Sequence, residues 1–412
     1  MPTSSLTKKS YFPWLELACA TAFFAFQFIL RVSPSVFAKD IMHDLGIDHC
    51  SFGGVATFFY VGYTSMQIIA GVLLDKFGVR KPLTVATFLC FVGALIFAIG
   101  SSVALLAVGR LLMGIGGAFG FLSCMKIATA WFPANRLGTV IGVSMLVGSA
   151  GAVFGGAPLA LLVEYTGWQE SMLILSGISL LIALASWLIV SDHSKSPSLE
   201  AEDLPIFEAL TIVLTKPQTY VFAIFGSLMY LTLSVFADLW GTTFISQVYG
   251  LSKTTAAGAV NTIYIGFGLS GLLTAVVADK MQSYKKPILW GRVVTLLAFT
   301  TIIYFPIFSV EALYAVFFGT GLFLGSQIFA FACVCELNSK TVSGTASGVH
   351  NTFCMLSGII FQPLVGHILD LLGHGGEGHS ILEYQYALSV VPIAVLLALL
   401  MTFLMKELYP KS

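Results

Sequence analysis

The sequence predicts an all-α membrane protein with twelve transmembrane helices, arranged as two six-helix, pseudo-symmetric bundles. Composition, the spacing of apolar stretches and an internal repeat lead to this prediction. Of the 412 residues, 57% are hydrophobic and only 10% are charged, whereas an average soluble domain is roughly 25% charged. Such a chain cannot cover itself with polar side chains, so most of its outer surface must contact lipid.

The apolar stretches are each about 20 residues long, which is enough for a helix to cross the ~30 Å hydrocarbon core of a bilayer. The first stretch follows two lysines but contains no small-residue cleavage site, so we interpret it as a retained helix and not as a signal peptide. We place spans 1 to 12 at residues 12–37, 51–74, 82–100, 103–125, 138–162, 169–190, 219–245, 255–278, 287–308, 311–335, 343–369 and 384–405.

A polar, charged stretch at residues 191–205 separates spans 6 and 7. We therefore divide the chain into an N-terminal bundle (1–190), a cytoplasmic linker (191–216) and a C-terminal bundle (217–412). The bundles resemble each other in two places: GVLLDKFGVRKP matches AVVADKMQSYKKP, and GTVIGV matches GTASGV, both about 205 residues further on. Two matches at one offset indicate a duplicated six-helix unit.

Basic residues predict the orientation of the chain. Most Lys and Arg residues fall in the even-numbered loops, the linker and the termini, and the odd-numbered loops contain only Lys39 and Lys253. Both termini are therefore expected in the cytoplasm, and we expect a monomer in a bacterial inner membrane. A net charge of zero gives no sign of nucleic-acid binding, so we expect no nucleic-acid partner. The seven cysteines show no metal-site or disulfide pattern, so we expect no metal or cofactor.

Three segments carry distinctive motifs. The turn between spans 2 and 3 contains Gly71, Asp75, Lys76, Gly78, Arg80 and Lys81, and glycine-rich runs in spans 4 and 5 contain Arg110, Gly114, Gly148, Gly151, Gly155, Gly156 and Pro158. The turn resembles the loop signature of the major facilitator superfamily, and the two runs resemble its fourth- and fifth-helix patterns. The resemblance implies two bundles around a central cavity, with the turn residues acting as a conformational latch and the residues of the two runs as helix-packing positions. A basic anchor with a turn, and ordinary small-residue packing, are the simpler interpretations.

Two charges inside the spans carry the functional argument, because an ionisable group at bilayer depth costs about 2.5 kcal/mol or more unless it faces a cavity or a partner. Arg31 lies in span 1, and the repeat offset places its counterpart close to Asp238 in span 7. Arg31 is similar to the first-helix arginine of organic-anion branches of the family, where it binds an anionic group. Those branches have a second basic residue in span 7, where this chain has Asp238 instead. This departure favours a carboxylate-bearing anion or a zwitterion over a dianionic phosphate. A structural ion pair is the alternative.

Other polar residues inside the spans are expected to line the cavity. A polar stripe in span 2 motivates this expectation, since it would be unfavourable against lipid. Single interhelical hydrogen bonds are the alternative for each residue. Besides Arg31 and Asp238, the predicted substrate-binding residues are Tyr60, Tyr63, Gln67, Asn261, Tyr264, Gln327 and Asn351; Asp238 and His350 are the predicted proton-coupling residues.

These features predict a secondary active transporter that moves a small polar organic solute by alternating access, coupled to protons. The sequence contains no nucleotide-binding loop, which argues against ATP-driven transport. Most histidines lie in loops, which argues against a membrane enzyme. A transporter of small peptides, carboxylate siderophores or drug-like molecules stays open, as does a membrane receptor that does not transport.

Overall fold

The computed structural model describes residues 12–191, 206–306, 308–339, 342–373 and 380–408. Within these residues, eleven helical segments are long and apolar enough to cross a membrane. The helix Lys253–Met281, with 29 residues, occupies the position of the predicted eighth span and completes the twelve. The predicted all-α, twelve-span fold is confirmed.

The first six spans follow the prediction to within a few residues at most ends. The main extension is at span 1, which continues beyond residue 37 to Leu45. The helices are Phe12–Val32 with Pro34–Leu45 (span 1), His49–Phe77 (span 2), Arg80–Ile99 (span 3), Val103–Gly117 with Phe119–Trp131 (span 4), Ala134–Phe154 with Ala157–Thr166 (span 5) and Trp168–Ile189 (span 6).

The second six spans repeat this arrangement. A further helix, Ile206–Leu214, lies inside the predicted linker, whereas residues 192–205 of that linker fall outside the described residues. The helices are Pro217–Leu231, Thr232–Trp240 and Gly241–Val248 (span 7), Lys253–Met281 (span 8), Lys285–Tyr304 (span 9), Val310–Leu324, Gly325–Gln327 and Ile328–Leu337 (span 10), Ser343–Leu372 (span 11) and Ile381–Leu388 with Val390–Leu404 (span 12).

Proline and a change of helix type interrupt the two spans that carry the intramembrane charges. Span 1 breaks at Ser33, because Pro34 has no N–H to continue the ladder of hydrogen bonds. Span 7 changes to a π-helix over Thr232–Trp240, where the N–H of Gly241 bonds to the carbonyl of Phe236, five residues earlier. Short π segments inside helices occur frequently at functional sites.

Glycines bring the helices of the N-terminal bundle into close contact. Gly148, Gly151 and Gly155 of span 5 lie against span 1, and a Cβ atom on Gly151 would overlap the backbone of Ala25. Gly114 of span 4 lies in the same way against the backbone of Phe59 in span 2. Small residues are what allow membrane helices to approach this closely.

Candidate functional site

Arg31 and Asp238 meet at the centre of the molecule. Nε of Arg31 lies 3.1 Å from Oδ2 of Asp238, and the two side chains are 5% and 0% exposed. One charge comes from each bundle, so this ion pair joins the two halves of the chain. Its burial means that both charges depend on each other for neutralisation.

Two tyrosines complete the ligand shell of the Asp238 carboxylate. The hydroxyl of Tyr60, from span 2, donates to Oδ2, and the hydroxyl of Tyr264, from span 8, donates to Oδ1. Nη2 of Arg31 also donates to the hydroxyl oxygen of Tyr264 at 3.4 Å. One carboxylate is therefore held by a guanidinium and two hydroxyl groups drawn from spans 1, 2 and 8.

Aromatic rings surround the guanidinium of Arg31. Its Cζ lies 4.4 Å from the ring centroid of Phe28, 5.7 Å from that of Tyr230 and 5.9 Å from that of Tyr264. Aromatic faces attract a cation and exclude water from it. Phe28 and Tyr230 were not among the predicted site residues, and their position in the same spans as the two charges was the signal that could have indicated them.

The cluster lies near the middle of the membrane-spanning region of the chain. Arg31, Tyr60, Asp238 and Tyr264 are each roughly 15–21 Å from the same end of their spans, at about 1.5 Å per residue. This end carries the loops at Gly46, Gly167 and Gly250, and we call it the outer end because the distribution of basic residues predicts that it faces away from the cytoplasm. A hydrocarbon core is about 30 Å thick, so the four side chains are at a depth where a charge without a partner is unfavourable.

Arg110 supports the cluster from span 4. It is 1% exposed, and its guanidinium lies over the ring of Phe59, 4.8 Å from the centroid. Nη1 donates to the carbonyl of Leu30 at 2.5 Å, and Nη2 donates to the carbonyl of Arg31 at 3.3 Å. Arg110 was predicted to be a helix-packing residue, and in the structure it also donates hydrogen bonds to the backbone that carries Arg31.

Of the other predicted binding residues, Asn261 lies between the bundles. It is fully buried against Gly156 of span 5, donates from Nδ2 to the carbonyl of Ala257 at 2.8 Å, and has no hydrogen-bond partner for Oδ1 among the described residues. Tyr63 is half-buried and stacks on Phe59 at 6.2 Å. None of these contacts tests a role in substrate binding. Gln67 and Asn351 are half-buried and Gln327 is buried.

His350 lies apart from the Asp238 cluster. In span 11, Gly358 packs on the ring of Tyr60. His350 is eight residues before Gly358, which corresponds to about 12 Å along the helix at 1.5 Å per residue. The imidazole is fully buried, its ring lies 4.2 Å from that of Phe331, and neither nitrogen has a hydrogen-bond partner within the part of the chain that the structure describes. The structure therefore does not bring the two predicted proton-coupling residues together.

The predicted latch lies at the end opposite to the outer end. Gly78 has a φ of 76°, which glycine adopts readily, and it ends span 2. Nε of Arg80 donates to the carbonyl of Trp187 at 2.8 Å, so this basic residue is engaged within the N-terminal bundle. The side chain of Asp75 is outside what the structure describes. Its predicted latch function stays a prediction.

Polar contacts join the bundles at the outer end. The carboxylate of Asp370, in span 11, accepts from the backbone N–H groups of His49 at 3.0 Å and Cys50 at 2.7 Å, at the first residues of span 2. A carboxylate at a helix N-terminus is stabilised by the unpaired N–H groups and by the helix dipole. Lys253 also forms an ion pair with Asp40 at 2.7 Å. These contacts close the outer end and had no visible signal in the sequence.

Comparison with known proteins identifies the family. The profile of the Major Facilitator Superfamily matches residues 17–362. The chain is 22% identical over 388 residues to the "Probable galactarate/D-glucarate transporter GudP" of Escherichia coli K12, covering 85% of each chain. It is 24% identical over 370 residues to the "Hexuronate transporter" of Bacillus subtilis 168, covering 84% of this chain and 86% of the relative.

Other similar proteins include a sensor and a solved structure. The chain is 20% identical over 368 residues to the "Membrane sensor protein UhpC" of Escherichia coli K12, covering 84% of each. Its fold matches the crystal structure of a bacterial homologue of the human lysosomal transporter Spinster, in an inward-facing and unoccupied conformation, with a TM-score of 0.74, 16% identity and 96% of each chain covered. With a matching profile over most of its length, this chain belongs to the major facilitator superfamily of multi-pass membrane transporters.

Proposed function

We propose that the chain is a secondary active transporter for a small carboxylate-bearing solute, and that Arg31 binds the carboxylate while Asp238 couples its movement to protons. The observation that carries this proposal is the buried cluster in which Arg31, Tyr60 and Tyr264 hold the carboxylate of Asp238. The protein's own carboxylate occupies a set of donors that suits the carboxylate of a solute. A solute can therefore bind to Arg31 by replacing Asp238.

The charge balance of the pair decides which solutes fit. A solute that replaces Asp238 at Arg31 leaves a buried aspartate without its cation, and this is strongly unfavourable. If the solute is a monoanion, Asp238 must take up a proton to lose its unpaired charge, and this couples solute binding to proton binding. If the solute is a zwitterion, no proton is needed, because the ammonium group of the solute can pair with Asp238. Both classes leave the buried site neutral.

The similar proteins favour the anionic class. The names of two relatives give galactarate, D-glucarate and hexuronate as their solutes, and each of these is a sugar derivative that carries at least one carboxylate. These relatives are only 22% and 24% identical to this chain, so they support a carboxylate-bearing solute and not a particular compound. A bidentate guanidinium–carboxylate contact is the chemistry that such solutes share.

Transport by purified protein in liposomes tests the proposal. Radiolabelled hexuronates, aldarates, amino acids and dipeptides are offered with and without an inward proton gradient. We expect uphill accumulation of one carboxylate-bearing class, and its loss in Arg31→Gln. Glu170→Gln, which removes an exposed carboxylate in span 6, is the control and keeps wild-type flux. Flux that persists in Arg31→Gln would refute the assignment of Arg31.

The pH profile separates the two classes. Uptake of a monoanion that needs a protonated Asp238 falls as the pH rises, whereas uptake of a zwitterion stays flat where the solute itself does not titrate. In Asp238→Asn, accumulation of the monoanion against its gradient fails while exchange of internal for external solute persists. Unchanged accumulation in this variant would exclude Asp238 as the coupling residue.

A receptor that does not transport is the second candidate function. It is favoured by the similarity to the "Membrane sensor protein UhpC", which extends over 84% of the chain. A receptor would bind the solute at the same Arg31 site, with a measurable rise in Tm by mass action. Binding that depends on Arg31, in liposomes that show neither uptake nor exchange, would favour the receptor over the transporter.

A further inference from the structure

We propose that Arg110 is a positioning residue: by bonding to the carbonyls of Leu30 and Arg31, next to the break at Pro34, it fixes the backbone from which Arg31 reaches Asp238. The inference rests on the proposed function of the Arg31–Asp238 pair, and it goes beyond the helix-packing role that the family resemblance implies for Arg110. It assigns Arg110 no contact with solute or proton.

The carbonyls at the break in span 1 give the first argument. In a continuous helix the carbonyl of Leu30 would accept from the N–H of residue 34, but proline has no N–H. This carbonyl accepts instead from Nη1 of Arg110 at 2.5 Å and from the hydroxyl of Ser33 at 3.0 Å. Inside a membrane such groups must find a partner within the protein. Arg110 therefore replaces a hydrogen bond that Pro34 removes.

The next two carbonyls of span 1, those of Arg31 and Val32, also accept hydrogen bonds from side chains. The carbonyl of Arg31 accepts from Nη2 of Arg110 at 3.3 Å, and that of Val32 accepts from the hydroxyl of Ser35 at 2.8 Å. One guanidinium thus binds two successive carbonyls, which its planar fork permits and a lysine ammonium does not reproduce. The residue bound at the second carbonyl is Arg31 itself, so a shift of this contact moves the site.

The surroundings of Arg110 make it a rigid support. It lies on span 4, is 1% exposed, and its guanidinium covers the ring of Phe59, the neighbour of Tyr60 in span 2. Arg110 therefore ties together the two N-terminal spans that supply donors to Asp238. Without it, two buried carbonyls lose a charge-assisted donor, and the segment around Arg31 is free to relax towards other partners.

A mutant cycle between Arg110 and Pro34 tests the inference. Arg110→Met removes the donor, and Pro34→Ala restores the missing backbone N–H. The purified full chain is examined by hydrogen exchange over residues 28–36 and by thermal unfolding, without any solute. We expect Arg110→Met to accelerate exchange in this segment at least tenfold, and Arg110→Met with Pro34→Ala to return it towards the wild-type rate. Pro158→Ala, which alters a proline at a break in span 5, is the matched control and does not restore it.

A second measurement asks whether Arg110 positions Arg31 or only stabilises the bundle. The Tm changes of Arg31→Met and Asp238→Leu are expected to be non-additive in the wild-type background, because each single change leaves one buried charge unpaired. The non-additivity should disappear in Arg110→Met and return when Pro34→Ala is added. A purely structural role lowers Tm equally in every background and leaves the non-additivity intact.

Two outcomes overturn the inference. Non-additivity that persists in Arg110→Met would show that the pair forms without Arg110, and failure of Pro34→Ala to restore exchange would show that Arg110 does not replace the proline's missing bond. If Arg110→Met does not fold, Arg110→Lys gives the same test, with intermediate acceleration and intermediate rescue expected. None of these measurements needs a solute, so failure of the proposed transport function, seen as absent flux, is distinguishable from failure of this inference.

Discussion

Replacing Asp238 with asparagine should make the protein bind a monoanionic solute more tightly while abolishing its uphill transport. The wild-type carboxylate is 0% exposed and lies 3.1 Å from the Arg31 guanidinium, so a solute carboxylate has to displace it. Asparagine keeps the size of the side chain but removes its charge. Arg31 is then a buried cation without a counter-ion, and an incoming anion neutralises it directly.

The magnitude follows from the burial of the pair. Removing one partner of a buried ion pair destabilises a protein by about 3–5 kcal/mol. The part of this energy that an anion recovers appears as affinity, at about 1.4 kcal/mol per tenfold change in Kd. The introduced asparagine can still bond to one or both tyrosines, so recovery is incomplete. We expect affinity to rise roughly 10- to 100-fold and Tm without solute to fall.

Binding and transport are measured on the same preparations. Isothermal titration in detergent gives Kd for the carboxylate-bearing solute identified by the uptake screen, and liposomes give accumulation and exchange. Glu170→Gln removes an exposed carboxylate and should change neither quantity. The reasoning is wrong if Asp238→Asn binds the monoanion no more tightly than wild type, since Asp238 would then not compete for Arg31. Retained accumulation would refute the coupling role separately.

Three further predictions concern orientation and conformational change. A cysteine at Ser198 should react with impermeant maleimide only from the cytoplasmic side; labelling from the periplasm would contradict the predicted orientation. Asp75→Asn should reduce flux more than solute binding, and equal loss of both would point to misfolding instead of a latch. Asp370→Asn removes a negative charge from the N-terminus of span 2, where its interaction with the helix stabilises the closed outer end by up to about 2 kcal/mol. A cysteine placed at the buried position of Val36 should then react with maleimide from outside up to about 30-fold faster. An unchanged rate would show that Asp370 does not hold the outer end closed.

The fold was predictable because the bilayer imposes its own constraints on sequence. A spanning helix needs about 20 apolar residues whatever it packs against, so composition and hydropathy were enough to place the twelve spans. The pairing of Arg31 with Asp238 was predictable for a related reason. Buried charges require partners, and the internal repeat indicated which residue in the second half corresponds to Arg31.

Other parts of the site depend on information that local sequence does not contain. The π-helix around Asp238 involves bonds between residues five apart instead of four, and nothing in the composition of Thr232–Trp240 distinguishes the two. The contact between Arg110 and the carbonyl of Leu30 joins spans 4 and 1 across 80 positions. The bond between Asp370 and the start of span 2 joins residues 321 positions apart. Such contacts follow from the packing of the bundles.

The contacts at the outer end and in the central cluster together determine which ligand-bound forms can open in the proposed transport cycle. Opening towards the outside must separate Asp238 from Arg31 and Tyr60, because they belong to different bundles, and must also break the Asp370 contacts with span 2. A solute carboxylate and a proton on Asp238 together replace the central interactions, but they contribute nothing to the outer ones. The loaded and the empty protein therefore differ in the energy of the central cluster alone. With both ligands bound, or with neither, the charges of the central cluster sum to zero. If only one ligand is bound, one buried charge has no counterpart, and the transition is disfavoured. Obligatory coupling requires that the half-loaded forms do not make the transition, and in the proposed cycle this follows from one ion pair shared between the two bundles.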